Sequence, residues 1–260
     1  MTANGEERAK RPPVQGAAAV TKGLRLLQAI AELGDDATIR QLQARLGLPR
    51  PTVYRLLNTL EQEHFIERNP LGGEYVLGRE LLRLTHQSLA RSSLQERARA
   101  TLRAIGKQTG ETVHLGVPFG CHMTFVDKVE SPEAVRMASY IGMPVPMHST
   151  SVGKAYLAGL DEAICEQYLA QLTLEPVTHR TCTTVNALRQ ELTVTRERGY
   201  AIDDEENELG IICFGQAVRG ADGRVEGAIS VSVPRYRLPD NGQQRILACI
   251  RSLCSDAGLV

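Results

Sequence analysis

The residues between Arg50 and Thr59 carry side chains suited to reading another molecule: Arg50, Thr52, Tyr54, Arg55 and Asn58. Arginine and asparagine present donors to base edges, and threonine and tyrosine present hydroxyls to phosphate oxygens, which are contacts a major groove accepts. Spacing matters as much as type. At about 100° per residue, Val53, Leu56, Leu57 and Leu60 fall on one side of a helix. Pro51, Arg55 and Asn58 fall nearly opposite, with Tyr54 and Thr59 on the flanks. The segment therefore predicts a helix with an apolar inner face and a polar face turned towards DNA. Arg50 and Thr52 stand at its start, where free backbone N–H groups also favour phosphate. Pro51 is tolerated there because the first turn has no intrahelical bond to lose.

A second group of reactive side chains lies towards the C-terminus. In the run Gly227 to Val233, alternation puts Ala228, Ser230 and Ser232 on one face and Ile229, Val231 and Val233 on the other. Cys213 faces opposite to Phe214, and Asp203 closes the run Tyr200-Ala201-Ile202. Cys213, His114 and Asp203 have the side-chain types of a hydrolase triad, but no elbow motif surrounds the cysteine, so an enzyme is not expected. Val152-Gly153-Lys154-Ala155 lacks the upstream glycine and following hydroxyl of a phosphate loop. Cys121, His122, Cys249 and Cys254 fit no zinc spacing. Neither a metal nor a cofactor is expected.

The elements that must position these residues follow from periodicity. A first helix is read through Val20, Leu24, Leu27 and Ala31, with Leu26 and Ile30 widening the stripe and Gly34 ending it. Thr38 caps a short second helix carrying Ile39, Leu42 and Leu46, stopped at Gly47. The tight Gly47-Leu48-Pro49 turn then delivers the third helix, which makes a helix-turn-helix. Strand-like runs at 65–68 and 74–77 flank turn residues 69–73 and read as a wing, with Arg68 as a further phosphate contact. A linker helix is expected over 79–108, with a break near Ser92-Ser93. Beyond it, strands are expected at 112–117, 123–130, 135–140, 200–203, 210–218 and 225–233, and helices at 151–159, 161–171, 184–198 and 240–257. The fold class is α+β, with an antiparallel sheet covered by helices.

Four regions result: a flexible basic arm over 1–16, a winged helix-turn-helix over 17–78, a linker and dimerisation helix over 79–108, and an effector-binding domain over 109–260. Net charge is zero over the 260 residues, yet the average conceals a local excess. From Arg8 to Leu60 the cations are Arg8, Lys10, Arg11, Lys22, Arg25, Arg40, Arg45, Arg50 and Arg55, against Glu32, Asp35 and Asp36. A phosphate backbone would meet that region first. The hydrophobic share of 42% and charged share of 23% are those of a globular protein. No stretch approaches the roughly 18 apolar residues of a membrane span, and the polar, basic start is not signal-like, which places the chain in the cytoplasm. A winged helix can also bind a protein partner, and salt-dependent binding to DNA separates that reading from a regulator.

Several phrases resemble the IclR family of bacterial transcriptional regulators. They include Leu46-Gly47-Leu48-Pro49-Arg50-Pro51-Thr52-Val53-Tyr54-Arg55-Leu56-Leu57, His148-Ser149-Thr150-Ser151-Val152-Gly153-Lys154-Ala155 and Arg198-Gly199-Tyr200-Ala201-Ile202-Asp203-Asp204-Glu205-Glu206. The resemblance runs from Val20 to Pro234. It implies an N-terminal winged helix domain, a C-terminal effector domain with a curved antiparallel sheet, palindromic double-stranded operator DNA as partner, and homodimers or dimer-of-dimers tetramers. It also carries contacts to a small carboxylate effector onto Ser151, Val152, Asp203, Cys213, Ser230 and Ser232. His114-Leu115-Gly116, Asp127-Lys128-Val129 and Tyr140-Ile141-Gly142 resemble the regulators of 2-keto-3-deoxygluconate and related sugar-acid catabolism. A repressor of such an operon is implied, although an activator of an aromatic-acid or keto-acid operon would use the same parts. Pro51 departs from the family's frequent serine, and Phe214-Gly215-Gln216 departs from its small-residue and proline pattern.

Overall fold

The computed structural model describes residues 16–69, 72–89 and 94–260. Arg8, Lys10 and Arg11 of the basic arm, the centre of the wing turn at 70 and 71, and the expected break at Ser92-Ser93 lie outside the described residues. The chain divides into two compact units, Met1–Arg91 and Ser92–Val260.

The first unit contains α1 (Ala18–Leu33), a 3-10 turn (Gly34–Asp36), α2 (Ile39–Leu46), α3 (Arg50–Gln62), β1 (Ile66–Arg68), β2 (Tyr75–Leu77) and α4 (Arg79–Leu89). The Thr38 hydroxyl accepts from the Gln41 N–H at 3.4 Å, and Gly47 closes α2 in the left-handed region at φ 62°. Such a conformation costs glycine little and lets α3 begin three residues later. β1 and β2 pair antiparallel from Ile66↔Leu77 to Arg68↔Tyr75. Leu26, Ile30, Leu42, Val53, Leu57 and Ile66 form the core of the unit.

Of the stripe expected on α1, the core uses only one edge: Leu26 and Ile30, with Leu27 half-buried. Gly23, Leu26, Ala29 and Ile30 are buried, whereas Val20 and Leu24 are 65% and 57% exposed. The helix carries two apolar faces roughly a third of a turn apart, and only one meets α2, α3 and β2. Periodicity alone does not choose between them.

The second unit starts with α5 (Leu94–Thr109), followed by β3 (Thr112–Phe119), β4 (His122–Val129), β5 (Pro144–Pro146), α6 (Ser151–Gly159), α7 (Glu162–Leu169), α8 (Val185–Arg198), β6 (Ala201–Asp204), β7 (Ile211–Arg219), β8 (Val225–Pro234) and α9 (Gly242–Asp256). The six strands form one curved antiparallel sheet in the order β5-β4-β3-β8-β7-β6. Leu115, Phe214, Ile229 and Val231 of one sheet face pack against Leu94, Ala98, Leu102 and Ile105 of α5 and Ile246 and Ile250 of α9. Residues 94–109, expected in the linker, are thus a core helix of the second unit, while α4 belongs to the first. Their stripe is buried on the sheet because Gly106 lets the helix approach Val129 closely: a Cβ there would stand 2.7 Å from the valine methyl.

The strand expected at 135–140 is absent. Met137 is buried while Val135, two residues away, is exposed, so the run keeps no strand-like facing and no ladder forms there. Pro144–Pro146 pairs with β4 instead, at the sheet edge, where a proline's missing N–H costs no ladder bond. Among the described residues no helix is long and apolar enough to cross a membrane.

The two faces of α1 give a test. Leu26→Ala should destabilise the first unit by about 2–5 kcal/mol, as a cavity in a small core does, while Leu24→Ala should change stability by no more than about 0.5 kcal/mol. Urea denaturation followed by circular dichroism separates the two, and equal losses would contradict the assigned core face.

Candidate functional site

On α3 the division predicted from spacing is visible residue by residue. Val53 and Leu57 are buried, Leu56 and Leu60 half-buried, and Arg50, Tyr54, Arg55 and Asn58 exposed. Thr52 is half-buried in the first turn. The Arg50 guanidinium lies 5.5 Å from the Tyr54 ring centroid and donates to its hydroxyl at 3.3 Å. A cation held on a ring face keeps its charge while losing freedom. The Arg55 side chain makes no hydrogen bond or ion pair among the described residues. Thr59 turns back, its Oγ1 donating to the Arg55 carbonyl at 3.0 Å. Arg68 lies apart from α3, exposed on β1 opposite Tyr75.

The six candidate effector residues meet on one face of the large sheet. Register places Asp203, Cys213, Ser232 and Thr112 in one cross-strand row. Gly215, Ser230, His114 and Lys128 form the next. Cross-strand partners share a face, so both rows point the same way. The start of α6 lies on that face. A Cβ at Gly215 would stand 2.4 Å from the Ser151 carbonyl oxygen, and one at Gly153 would stand 2.3 Å from the Met147 carbonyl oxygen. Glycine at 215 allows Ser151 to reach the sheet, and glycine at 153 allows α6 to pass the Met147 backbone. Thr150 caps the helix, its hydroxyl accepting from the Gly153 N–H at 3.2 Å. All six residues are buried.

Burial dominates the electrostatics of this face. It pushes the Asp203 carboxyl up to about 7, against the nearby Lys154 cation and the N–H groups of Asn207 and Glu206, which donate to Oδ1 at 3.2 and 2.9 Å. Cys213 donates to the Ser232 hydroxyl at 3.2 Å, and burial holds its thiol well above the ordinary range, so it is no nucleophile. His114 is pushed down to about 3 by burial and then by Lys128, and stays neutral. Its Nε2 lies 2.8 Å from Ser139 Oγ, and its ring stacks on Phe125 with centroids 4.2 Å apart.

Lys154 is the residue the sequence reading passed over. It is wholly buried, and its Nζ pairs with Glu206 and, at 3.7 Å, with Glu191. Its signal was a single cation inside the apolar helix run Val152 to Ala158, because lysine is almost never fully buried unless paired. The second unit also holds two cavities. One of ≈ 650 Å³ runs between α5 and α9, near Glu111, Arg237 and Cys249, and one of ≈ 290 Å³ lies by Gly159, Arg196 and Arg219. Neither is lined by any of the six candidates. Among the described residues no cluster of His, Cys, Asp and Glu could hold a metal ion.

A winged helix-turn-helix with a cationic outer face, together with a separate α+β unit presenting a polar sheet face, defines a ligand-responsive DNA-binding regulator. The chain belongs to the IclR family of bacterial transcriptional regulators: residues 19–70 match the IclR helix-turn-helix domain and residues 86–257 match the bacterial transcriptional regulator IclR C-terminal domain. It is 32% identical over 240 residues to the HTH-type transcriptional regulator XynR of Escherichia coli, covering 92% of this chain and 94% of that one. It is also 32% identical to the transcriptional repressor IclR of the same organism, covering 90% and 89%. The crystal structure of the Thermotoga maritima IclR matches with a TM-score of 0.79 at 29% identity, covering 92% of this chain and 96% of that chain. These relatives are named regulators and repressors, not enzymes.

The raised Asp203 pKa predicts a pH dependence. The folded chain holds this proton more tightly than the unfolded chain, whose carboxyl titrates near 3.8. The resulting stability is present below about pH 4 and is lost as pH rises towards 7. Asp203→Asn keeps an acceptor for both N–H groups and removes the titration. Melting temperatures taken from pH 4 to 8 should therefore move in favour of the variant up to about pH 7 and then level off. A constant difference across that range would contradict the assignment.

Proposed function

We propose that the chain represses a catabolic operon for sugar acids or related small carboxylic acids, and that effector binding in the second unit changes its hold on operator DNA. The observation that carries the DNA half of this reading is the exposed Arg50, Tyr54, Arg55 and Asn58 face on a helix anchored by Val53 and Leu57. Arg55 reaches base edges, Arg50 and Thr52 hold phosphate at the helix start, Tyr54 and Asn58 extend the contact, and Arg68 adds a backbone contact from the wing.

The effector half is supported by the convergence of Ser151, Val152, Asp203, Cys213, Ser230 and Ser232 on one sheet face. Backbone N–H groups at the start of α6, with serine hydroxyls beside them, suit a carboxylate, and Asp203 suits a ligand hydroxyl. The sugar-acid class follows from the resemblance of His114-Leu115-Gly116 and the neighbouring phrases to that subgroup. Two chains pair through the first unit and place two α3 helices on a palindromic site, acting in the cytoplasm as dimers or paired dimers. The same parts serve an activator equally well, and transcription measured with and without effector decides the sign.

Coupling between operator and effector is reciprocal, so operator DNA changes effector affinity by the same factor that effector changes operator affinity. Arg55→Ala should weaken operator binding by about 1–3 kcal/mol, lower the salt dependence by about one counterion and leave effector affinity unchanged. Fluorescence anisotropy on a selected operator at several salt concentrations reads the first two effects, and calorimetry the third. Operator binding unchanged by the substitution would remove α3 from the groove.

A further inference from the structure

The sheet face holds a buried polar atom without a partner, beside a serine hydroxyl that makes no hydrogen bond. His114 is wholly buried, and its Nδ1 has no hydrogen-bond partner. Ser230, 3% exposed, makes no hydrogen bond through its hydroxyl with any described residue. The two are direct cross-strand partners on β3 and β8, which puts their Cβ atoms about 4.5–5.5 Å apart. Leaving the buried His114 Nδ1 unsatisfied costs about 1–3 kcal/mol of desolvation, so the corner beside Ser230 is a place where a ligand gains by binding.

The surroundings narrow the chemistry. Phe125 covers one face of the imidazole, and Ser139 engages Nε2, so Nδ1 is the ring nitrogen that lacks a partner. Lys128 supplies no unmet positive charge, because its Nζ donates to the Ser139 carbonyl at 2.5 Å and pairs with Glu130 at 2.8 Å. The corner therefore does not call for a second anion. A neutral imidazole offers at Nδ1 either a lone pair or an N–H, according to which way the Ser139 hydroxyl turns. A hydroxyl answers both cases and answers Ser230 as well. A carboxylate answers only the N–H form, and an aromatic C–H edge answers neither.

We infer that His114 and Ser230 form a hydroxyl-recognising subsite, so that the effector is a hydroxylated acid and not a bare keto acid or an unsubstituted aromatic acid. The inference rests on the effector reading above and adds His114 to it. One ligand hydroxyl, or two on adjacent carbons, bridges β3 and β8, while the carboxylate remains with the start of α6.

Titration calorimetry on the full chain tests this with gluconate and 2-keto-3-deoxygluconate as hydroxylated probes, and pyruvate and benzoate as probes without a hydroxyl. At least one hydroxylated probe should bind about tenfold or more tightly than pyruvate or benzoate. His114→Gln places its amide near the Nε2 position, keeps the Ser139 contact and leaves nothing at Nδ1, so it should abolish that preference. His114→Asn places its amide at the Nδ1 position and should retain hydroxylated-probe affinity within about threefold. A merely structural role predicts the opposite order, because Asn is the variant that loses Ser139. If the His114 variants melt well below wild type, Ser230→Ala should give the same loss of preference.

Wild-type binding of pyruvate or benzoate as tight as that of both hydroxylated probes would overturn the subsite alone. So would unchanged preference in His114→Gln, or in Ser230→Ala. A wild type that binds operator DNA but none of the four probes would overturn the effector reading with it.

Discussion

The ion pairs of the Lys154 ammonium are the interaction on which the candidate ligand face depends. A fully buried cation is costly unless carboxylates meet it, and here Glu206 follows β6 while Glu191 belongs to α8. One charge on α6 thus fixes two other segments of the same unit. Glu191 is itself held by Arg198 at 2.6 Å. The Glu206 segment is held again by hydroxyls: Thr178 donates to the Glu205 carbonyl at 2.7 Å and Thr181 to the Glu206 carbonyl at 2.6 Å. Asp203, at the base of that segment, accepts two N–H groups from it. The candidate ligand contacts on α6, β6, β7 and β8 are therefore positioned by a shared polar framework and not by apolar packing alone.

The large sheet separates two tasks by face. One face is aliphatic and aromatic, and buries α5 and α9. The other mixes small and polar residues, and it accepts α6 because Gly215 has no side chain where the helix backbone passes. Strand alternation makes this separation possible, since neighbours along β8 serve opposite faces: Ile229, Val231 and Val233 for packing, and Ser230 and Ser232 for the ligand face. In the first unit a helix achieves the same division with a period near 3.6, as Val53 and Leu57 anchor the helix that carries Arg55 outward.

What the sequence disclosed follows from where local rules act without competition. Thr38 and Gly47 bound α2 because a cap hydroxyl and a left-handed glycine are local devices, and both are read directly from residue type. The facing of Ser230 and Ser232 was legible for the same reason. Helix α1 was legible only in part because two apolar stripes satisfied the same period, and tertiary packing chose between them. The run 135–140 reads as a strand in sequence but lacks a neighbour, a fact of topology that no local pattern contains. Lys154 was overlooked because its partners lie on segments far away in the chain. Residue type alone suggests a place for His114 in a catalytic triad, a role its neutral, enclosed ring does not serve.

The order β5-β4-β3-β8-β7-β6 has a bearing on how the chain acquires its function. It consists of two locally wound meanders joined by a single seam, Thr112–Gly116 against Ala228–Ser232, whose sides are separated by roughly a hundred residues. Hairpins close early and long-range seams close late, because the entropy of the intervening loop must be overcome first. Ser230 and His114 stand on opposite sides of that seam. The proposed His114–Ser230 subsite is therefore complete only once that seam has closed, and two meanders that have not met do not hold it.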